Sequence, residues 1–300
     1  MNIEKVEKYR HDCQVSDEKR DAGLTVPEDI RIFSDIRYGP YEENVLDVYV
    51  PKGTEEKLPA IISIHGGGWV YGDKELYSHY CMRLSQRGFA VVNFSYRLAP
   101  ENRYPAGIED CFKVFEWIKE NHQDYFIDYD NMFMVGDSAG AQMAQQCLTI
   151  LTNKTYAGLF SFDIPEDFRI RACCLNCGVY YLCVNKLLKP NDTFMTSAYL
   201  PDDYKIFLDQ YPVSKYVTSD FPPAFIMTAH HDFIRFMARP FYNKLKKTGV
   251  ECEYHIYGSK QRKDIGHVFH VNCRLEEAVI CNDDECAFFR KHVKKRNKQT

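Results

Sequence analysis

The pentapeptide Gly136-Asp-Ser-Ala-Gly140 has the residue types and spacing that most directly suggest chemistry in this chain. It follows a short apolar run that starts at Asn131 and precedes a helical sequence, so the pattern predicts a sharp turn from a strand into a helix. Glycines at both ends let the two segments pass closely, while the central residue takes a strained backbone conformation. We therefore expect the Ser138 hydroxyl to be exposed at the helix N-terminus as a nucleophile.

A nucleophilic serine needs N–H donors for the oxyanion that forms when it attacks a carbonyl group. The sequence His-Gly-Gly-Gly-Trp at 65–69 follows a buried strand pattern, and glycines let a backbone approach a substrate closely. A plain flexible turn is the structural alternative for these glycines. The predicted residues are Gly67, Gly68 and Ala139 for the oxyanion hole, and Trp69 and Asp137 for substrate binding.

The serine also needs a histidine base and an acid that orients this base. The histidines of the C-terminal third are His230, His231, His255, His267 and His270. His267 follows the last predicted strand and comes after a glycine, which lets its ring reach the site. His270 is the competitor for this role. Asp232 follows the predicted strand 223–229, but spacing alone leaves Asp264 open as the acid.

The elements that must position these residues alternate along the chain. Strand patterns lie at 30–38, 44–50, 58–65, 89–94, 131–137, 169–177, 223–229 and 250–257. Helix patterns lie at 75–87, 106–121, 142–151, 232–247 and 273–294. This alternation favours an α/β fold, in which helices cover both faces of a mostly parallel sheet.

Two segments fall outside the alternation. Residues 178–222 are rich in Tyr, Asp, Lys and Pro, and they are too long for an ordinary connection between two strands. Residues 1–25 are polar and partly helical in pattern. We expect both segments to form a cap over the sheet, within a single domain of residues 1–300.

Composition narrows the class of protein. The chain has 300 residues, of which 45% are hydrophobic and 27% are charged, and its net charge is −4. These values are typical of soluble globular proteins and do not suggest nucleic acid or a membrane as a partner. The N-terminus lacks the apolar core of a secretory signal, so we expect a cytoplasmic protein. The basic stretch 291–300 is interpreted as a solvated helix end.

Twelve cysteines are present. Most of them lie among apolar residues, which indicates reduced and buried thiols in a reducing compartment. Zinc is the alternative, bound by Cys174 with Cys177 and by Cys281 with Cys286. A structural zinc site usually shows two correctly spaced ligand pairs, and only the first pair here has the two-residue spacing. We therefore expect neither a metal nor another cofactor.

The chain resembles the hormone-sensitive-lipase-like branch of the α/β-hydrolase superfamily, a group of esterases and lipases. The matching motifs are 65–69, Tyr96-Arg-Leu-Ala-Pro-Glu101 with Tyr104-Pro105, 136–140, Asp232 and Gly266-His267. The resemblance covers residues 40–290, and its second motif has no purely structural reason to appear. It implies an eight-stranded sheet, a Ser138–His267–Asp232 triad and hydrolysis of short-chain esters. Where the family often has a second acidic residue, four positions after the triad aspartate, this chain has Phe236.

The substrate is less defined than the chemistry. We expect a small-molecule ester, with an acetyl ester as first choice and acetylated carbohydrate as one form of it. The cap tyrosines suit a sugar, but rings packed inward would give the same pattern; they are Tyr180, Tyr181, Tyr199, Tyr204, Tyr211 and Tyr216. Three alternatives remain. They are an amide-directed hydrolase (a peptidase or arylformamidase), a non-catalytic ligand-binding homologue and a metal-dependent hydrolase using residues 230–232. The oligomeric state is open, with a homodimer as one option.

Overall fold

One sheet runs through the computed structural model, which describes residues 3–181 and 193–295. Its strands are β1 Ile30–Arg37, β2 Val45–Pro51, β3 Leu58–Ile64, β4 Ala90–Phe94, β5 Ile127–Asp137, β6 Ile170–Asn176, β7 Ala224–Ala229 and β8 Cys252–Tyr257. Their order is β1-β2-β4-β3-β5-β6-β7-β8. The β1–β2 and β2–β4 pairs are antiparallel, and all other pairs are parallel. The predicted eight-stranded, mostly parallel sheet is confirmed.

Helices follow the strands in the predicted alternation. They are α1 Ile3–Asp21, α2 Lys74–Ser85, α3 Ala106–Asn121, α4 Ala139–Thr152, α5 Lys154–Ala157, α6 Thr193–Tyr199, α7 Val213–Tyr216, α8 Ala238–Thr248 and α9 Glu276–Lys291. Of the helices in the described ranges, none is both long and apolar enough to span a lipid bilayer.

The sheet separates two apolar cores, because successive side chains of a strand point to opposite faces. Ile62 of β3 packs in the core that includes residues of α3, α4 and α8. Its neighbour Ile61 packs in the core that includes residues of α2 and α9. Strands buried on both faces explain why β3 and β4 appear in the sequence as nearly continuous apolar runs.

Two predicted helices were wrong at their boundaries. The helix predicted from residue 232 begins at Ala238, because the backbone first makes a 3-10 turn at Arg235–Met237. Asp232 therefore lies in an irregular stretch between β7 and the 3-10 turn, and not in a helix. The last helix spans Glu276–Lys291 and is therefore shorter than the predicted range 273–294.

The N-terminal helix α1 packs on the segment that follows residue 192. Tyr9 of α1 makes edge contacts with Phe194 of α6, at 5.9 Å between ring centroids, and with Tyr71, at 6.4 Å. Residues 182–192 of the predicted cap segment 178–222 lie outside the described residues, as do residues 296–300 of the basic tail.

Candidate active site

The nucleophile elbow is formed by the junction of β5 and α4. Ser138 has φ +52° and ψ −115°, a conformation that non-glycine residues rarely adopt. A Cβ atom on Gly136 would lie 2.5 Å from the Gly140 carbonyl oxygen, and one on Gly140 would lie 2.1 Å from the Ile64 carbonyl oxygen. Only glycine fits at these two positions, so the steric requirement inferred from the motif is met. The Ser138 N–H donates to the Asn176 carbonyl at 2.9 Å, which ties the turn to β6.

The three predicted catalytic side chains meet at the carboxyl edge of the sheet. His267 Nε2 lies 2.9 Å from Ser138 Oγ, and His267 Nδ1 lies 2.7 Å from Asp232 Oδ1. With the imidazole proton on Nδ1, Nε2 is free to accept the serine proton. A bridge between His231 and Gly266 joins the loops after β7 and β8, and so positions His267 beside Asp232.

Asp232 is held by more than the histidine. Its Oδ2 accepts a hydrogen bond of 2.7 Å from the Thr228 hydroxyl, and its Oδ1 accepts one of 3.1 Å from the Ile234 N–H. Burial raises the pKa of the Asp232 carboxyl, but the bond from His267 and the two other donors outweigh burial and hold the pKa below its ordinary value. The carboxylate is therefore ionised at neutral pH and can stabilise an imidazolium.

The competing residues lie elsewhere. Asp264 is exposed and pairs with Arg262, with oxygen–nitrogen distances of 2.8 and 3.0 Å. His270 is fully buried, neither of its ring nitrogens has a hydrogen-bond partner among the described residues, and burial lowers its pKa to about 3. This imidazole binds a proton weakly and makes no hydrogen bond to Ser138, so it is not placed to act as the base.

The metal alternatives do not assemble in the described part of the chain. His231 Nε2 lies 3.1 Å from the Lys260 carbonyl oxygen, whereas Asp232 faces His267, so the stretch 230–232 does not converge on one point. Among the described residues, one group of three has ligand atoms within 4.8 Å of one another, and it joins Cys177 to Asp232 and His267. The eleven described cysteines are free thiols, and eight of them are buried.

The glycine loop, residues 65–69, lies against the elbow. Gly67 and Gly68 have φ +101° and +62°, values that favour glycine. A Cβ on Gly67 would lie 1.9 Å from the Tyr71 carbonyl oxygen. The N–H groups of Gly67 and Gly68 donate to no acceptor among the described residues. Ala139 is the first residue of α4, so its N–H has no acceptor within the helix. All three N–H groups predicted to form the oxyanion hole are thus available to a ligand.

Asp137 and Trp69 support this loop, contrary to their predicted role in substrate binding. Asp137 is 2% exposed, its Oδ2 accepts a bond of 2.8 Å from the Tyr77 hydroxyl, and burial raises its pKa to about 7. The Trp69 indole is 5% exposed, stacks on Tyr199 at 4.6 Å and donates to Gln142 Oε1 at 2.9 Å. Both side chains face the interior, so neither is placed to contact a substrate.

The motif at 96–101 has a structural role after all. The Tyr96 ring stacks on His65 at 4.1 Å, and its hydroxyl donates to the His65 carbonyl at 3.0 Å. The Ala99 N–H donates to the Trp69 carbonyl at 2.9 Å. The Arg97 guanidinium pairs with the buried Asp110 at 2.9 Å. This segment therefore supports the glycine loop from its far side.

Two residues near the site were missed by the sequence analysis. Tyr77 of α2 joins the glycine loop to Asp137, and its position in a helix pattern carried no signal of that role. Phe233 packs on the His267 ring, with 4.5 Å between ring centroids. Its position directly after the predicted acid Asp232 was a signal that could have been used.

Comparisons with known proteins identify the fold and its family. A family model described as alpha/beta hydrolase fold matches residues 61–271. Esterase LipQ of Mycobacterium tuberculosis is 31% identical over 209 residues, which cover 66% of this chain and 48% of LipQ. An acetyl esterase of Salmonella enteritidis PT4 is 25% identical over 238 residues, which cover 73% of this chain and 68% of that protein. This chain therefore spans about half the length of LipQ.

A solved structure is similar over nearly the whole chain. It is esterase B of Lactobacillus rhamnosis, inhibited by a C4-C4 sn3 tributyrin phosphonate, with a TM-score of 0.87 and 26% identity. The match covers 96% of this chain and 94% of the other. The likeness extends to the segments outside residues 61–271, which include α1 and the last helix.

Proposed function

This chain belongs to the hormone-sensitive-lipase-like esterase branch of the α/β-hydrolase family, and on that premise we propose that it is a serine carboxylic ester hydrolase. The observation that carries the proposal is the continuous line of hydrogen bonds from Ser138 through His267 to Asp232. A non-catalytic homologue would have no use for this arrangement, in which the acid is ionised and the base faces the nucleophile.

The proposed reaction proceeds through an acyl-enzyme. Ser138 Oγ attacks the ester carbonyl while its proton moves to His267 Nε2, and Asp232 stabilises the resulting imidazolium. The oxyanion accepts hydrogen bonds from the glycine loop and from the Ala139 N–H. His267 then protonates the leaving alcohol. Water attacks the acyl-enzyme with His267 again as base, which releases the acid and restores Ser138.

We propose short-chain acyl groups, with acetyl first. Support comes from the packing of α6 over the glycine loop, since a Cβ on Gly68 would lie 2.5 Å from Met195 Sδ. That close approach limits the room above the predicted oxyanion hole. The relatives described above include an acetyl esterase and an esterase inhibited by a tributyrin phosphonate, and both names agree with a short acyl chain.

Acetylated carbohydrate loses the support of three of the six cap tyrosines, whereas Tyr181, Tyr204 and Tyr216 are half-buried. Tyr180, Tyr199 and Tyr211 are at most 3% exposed, and Tyr180 stacks on Phe241 of α8 at 4.6 Å. These rings pack inward, as in the second interpretation that the sequence left open. They do not offer faces on which a sugar could stack.

Release of p-nitrophenol from acetyl, butyryl and octanoyl esters tests the proposal. We expect turnover fastest on the acetyl ester, and a fall in kcat of at least about 10⁴-fold in Ser138→Ala. Ser219→Ala removes the hydroxyl of an exposed serine outside the site and serves as the control. A wild-type protein that turns over no ester but cleaves a matched acetanilide would indicate an amide hydrolase instead. Inactivity on both would favour a binding role.

A further inference from the structure

Two exposed phenylalanines lie within four residues of Asp232, and one of them contacts the His267 ring. Phe233 is 71% exposed, although its ring lies 4.5 Å from the His267 ring. Phe236 is 63% exposed. We call this pair the aromatic ledge. A large apolar side chain at this degree of exposure contributes little to the core. Next to the reacting groups, such an exposed side chain indicates a surface that a ligand covers.

The two phenylalanines lie in neighbouring turns of one short segment. Residues 235–237 form a 3-10 turn that contains Phe236, and Phe233 lies in the turn just before it. Ile234 and Met237 are at most 9% exposed and make the apolar contacts that anchor this segment to the protein. Ile234 and Met237 thus stabilise the fold, and the aromatic ledge is exposed and can contact a ligand.

The proposed role of His267 indicates which part of the substrate lies on the aromatic ledge. In the proposed cycle, His267 Nε2 protonates the leaving oxygen, so the first carbon atoms of the alcohol lie next to the imidazole at that step. Phe233 is in contact with this same ring. The alcohol part of the ester is consequently the portion of the substrate that reaches the ledge.

The ledge is apolar and carries no hydrogen-bonding group. The adjacent charges in sequence lie outside the two rings: Asp232 faces His267, and Arg235 Nη1 donates to the His230 carbonyl at 2.5 Å. A sugar or a charged alcohol would find no partner for its polar groups on Phe233 and Phe236. Aromatic rings instead favour offset or edge contacts with other rings and with branched alkyl groups.

We propose that the aromatic ledge is the binding site for the alcohol part of the substrate, and that this part is an apolar alcohol bearing a ring or a branched alkyl group. The assignment rests on the proposed esterase function and names a substrate class for it. It also gives a role to Phe236, which stands where related proteins often have an acid.

The test compares benzyl acetate with ethyl acetate, because their acyl groups are identical and both leaving groups are simple alkoxides. In Phe233→Ala we expect kcat/KM for benzyl acetate to fall about tenfold. Burial of a phenylalanine ring by a bound ligand changes the binding constant by about this factor. The value for ethyl acetate should stay within about twofold. Phe236→Ala should show the same selectivity with a smaller change, and Phe233→Leu should recover part of the loss.

Ile280→Ala is the matched control, because Ile280 is an exposed apolar residue on α9; it should leave the ratio of the two esters unchanged. Equal losses on both esters in Phe233→Ala would overturn the assignment, because Phe233 would then act only by packing on His267. Unchanged rates on both esters would overturn it too. If wild type hydrolyses neither ester, the proposed function fails first, and the ledge assignment fails with it.

Discussion

The Tyr77 hydroxyl donates a hydrogen bond of 2.8 Å to the carboxyl group of Asp137, the residue directly before the nucleophile. The same hydroxyl accepts a bond of 3.0 Å from the Gly66 N–H. One side chain of α2 therefore joins the glycine loop to the nucleophile elbow. All three groups are buried, so none of them can replace a lost partner with bulk water.

Tyr77→Phe should destabilise the protein and slow its chemistry. The change removes the hydroxyl that bonds both a buried carboxyl and a buried N–H, which costs about 1–3 kcal/mol in the free energy of unfolding. We also expect kcat to fall with little change in KM, because the glycine loop is held less firmly where the oxyanion forms. Urea denaturation and initial rates measure the two effects. Tyr41→Phe, at an exposed tyrosine, should change neither; equal behaviour of the two variants would contradict this role for Tyr77.

Asp232 and Asp264 provide a matched pair for identifying the triad acid. Asp232→Asn removes the charge that stabilises the imidazolium and allows the wrong histidine tautomer, so kcat should fall about 10⁴-fold. Asp264→Asn alters only an exposed pair with Arg262, and its activity should stay within about twofold of wild type. Steady-state rates on one acetyl ester are sufficient. A larger loss at Asp264 than at Asp232 would reverse the assignment.

Burial of His270 should make stability depend on pH. Its pKa is about 3 in the folded protein, against about 6.5 for an ordinary histidine. Between these values the unfolded chain binds more protons than the native protein, so stability falls as the pH drops through this window. From pH 8 to pH 5, the wild type should lose about 2 kcal/mol of unfolding free energy that a variant without this imidazole does not lose.

His270→Phe is the variant for this measurement, since it keeps a ring against Tyr80, where the present ring centroids are 5.1 Å apart. Urea denaturation of both proteins at pH 8 and pH 5 gives the difference. Three other buried groups with shifted pKa values, His65 at about 4 and Asp137 and Glu285 at about 7, are common to both proteins and cancel. A difference that is constant between the two pH values would refute the prediction.

Arg10 attaches α1 to the rim of the site. Its Nε donates to the Val70 carbonyl at 2.7 Å, and its Nη2 donates to the Ala99 carbonyl at 2.9 Å. The guanidinium also pairs in bidentate fashion with Glu101 at 2.7 and 2.8 Å. This one side chain contacts both the end of the glycine loop and the motif that supports it.

Arg10→Met should loosen α1 while keeping the aliphatic part of the side chain. We expect thermolysin to cleave α1 faster, and kcat/KM on an acetyl ester to fall several-fold, because the helix no longer holds the segment around Val70. Lys8→Met is the control, since Lys8 is exposed and its pair with Asp12 at 2.9 Å is a surface contact. If both variants resist thermolysin as wild type does, α1 is held by its apolar contacts instead.

Features that depend on a few adjacent residues were predictable from the sequence alone. Gly136 is required by backbone contacts within the turn around Ser138, so the elbow was predictable from a pentapeptide, although Gly140 is required by the distant Ile64 carbonyl. Nearly continuous apolar runs predicted the central strands, because a strand buried on both faces must be apolar at nearly every position. His267 followed from its place after the last strand. These signals are local, and local sterics and periodicity determine them.

The tertiary structure decided everything that joins distant parts of the chain. Asp232 and Asp264 were equivalent as acids by spacing, and the resemblance alone favoured Asp232; the hydrogen bond to His267 separates them because the loops after β7 and β8 lie side by side. Asp137 looked like a substrate contact because it is next to Ser138, yet the elbow turns its side chain toward Tyr77, 60 positions earlier. Direction and burial depend on which elements pack together, and that information is not contained in any short motif.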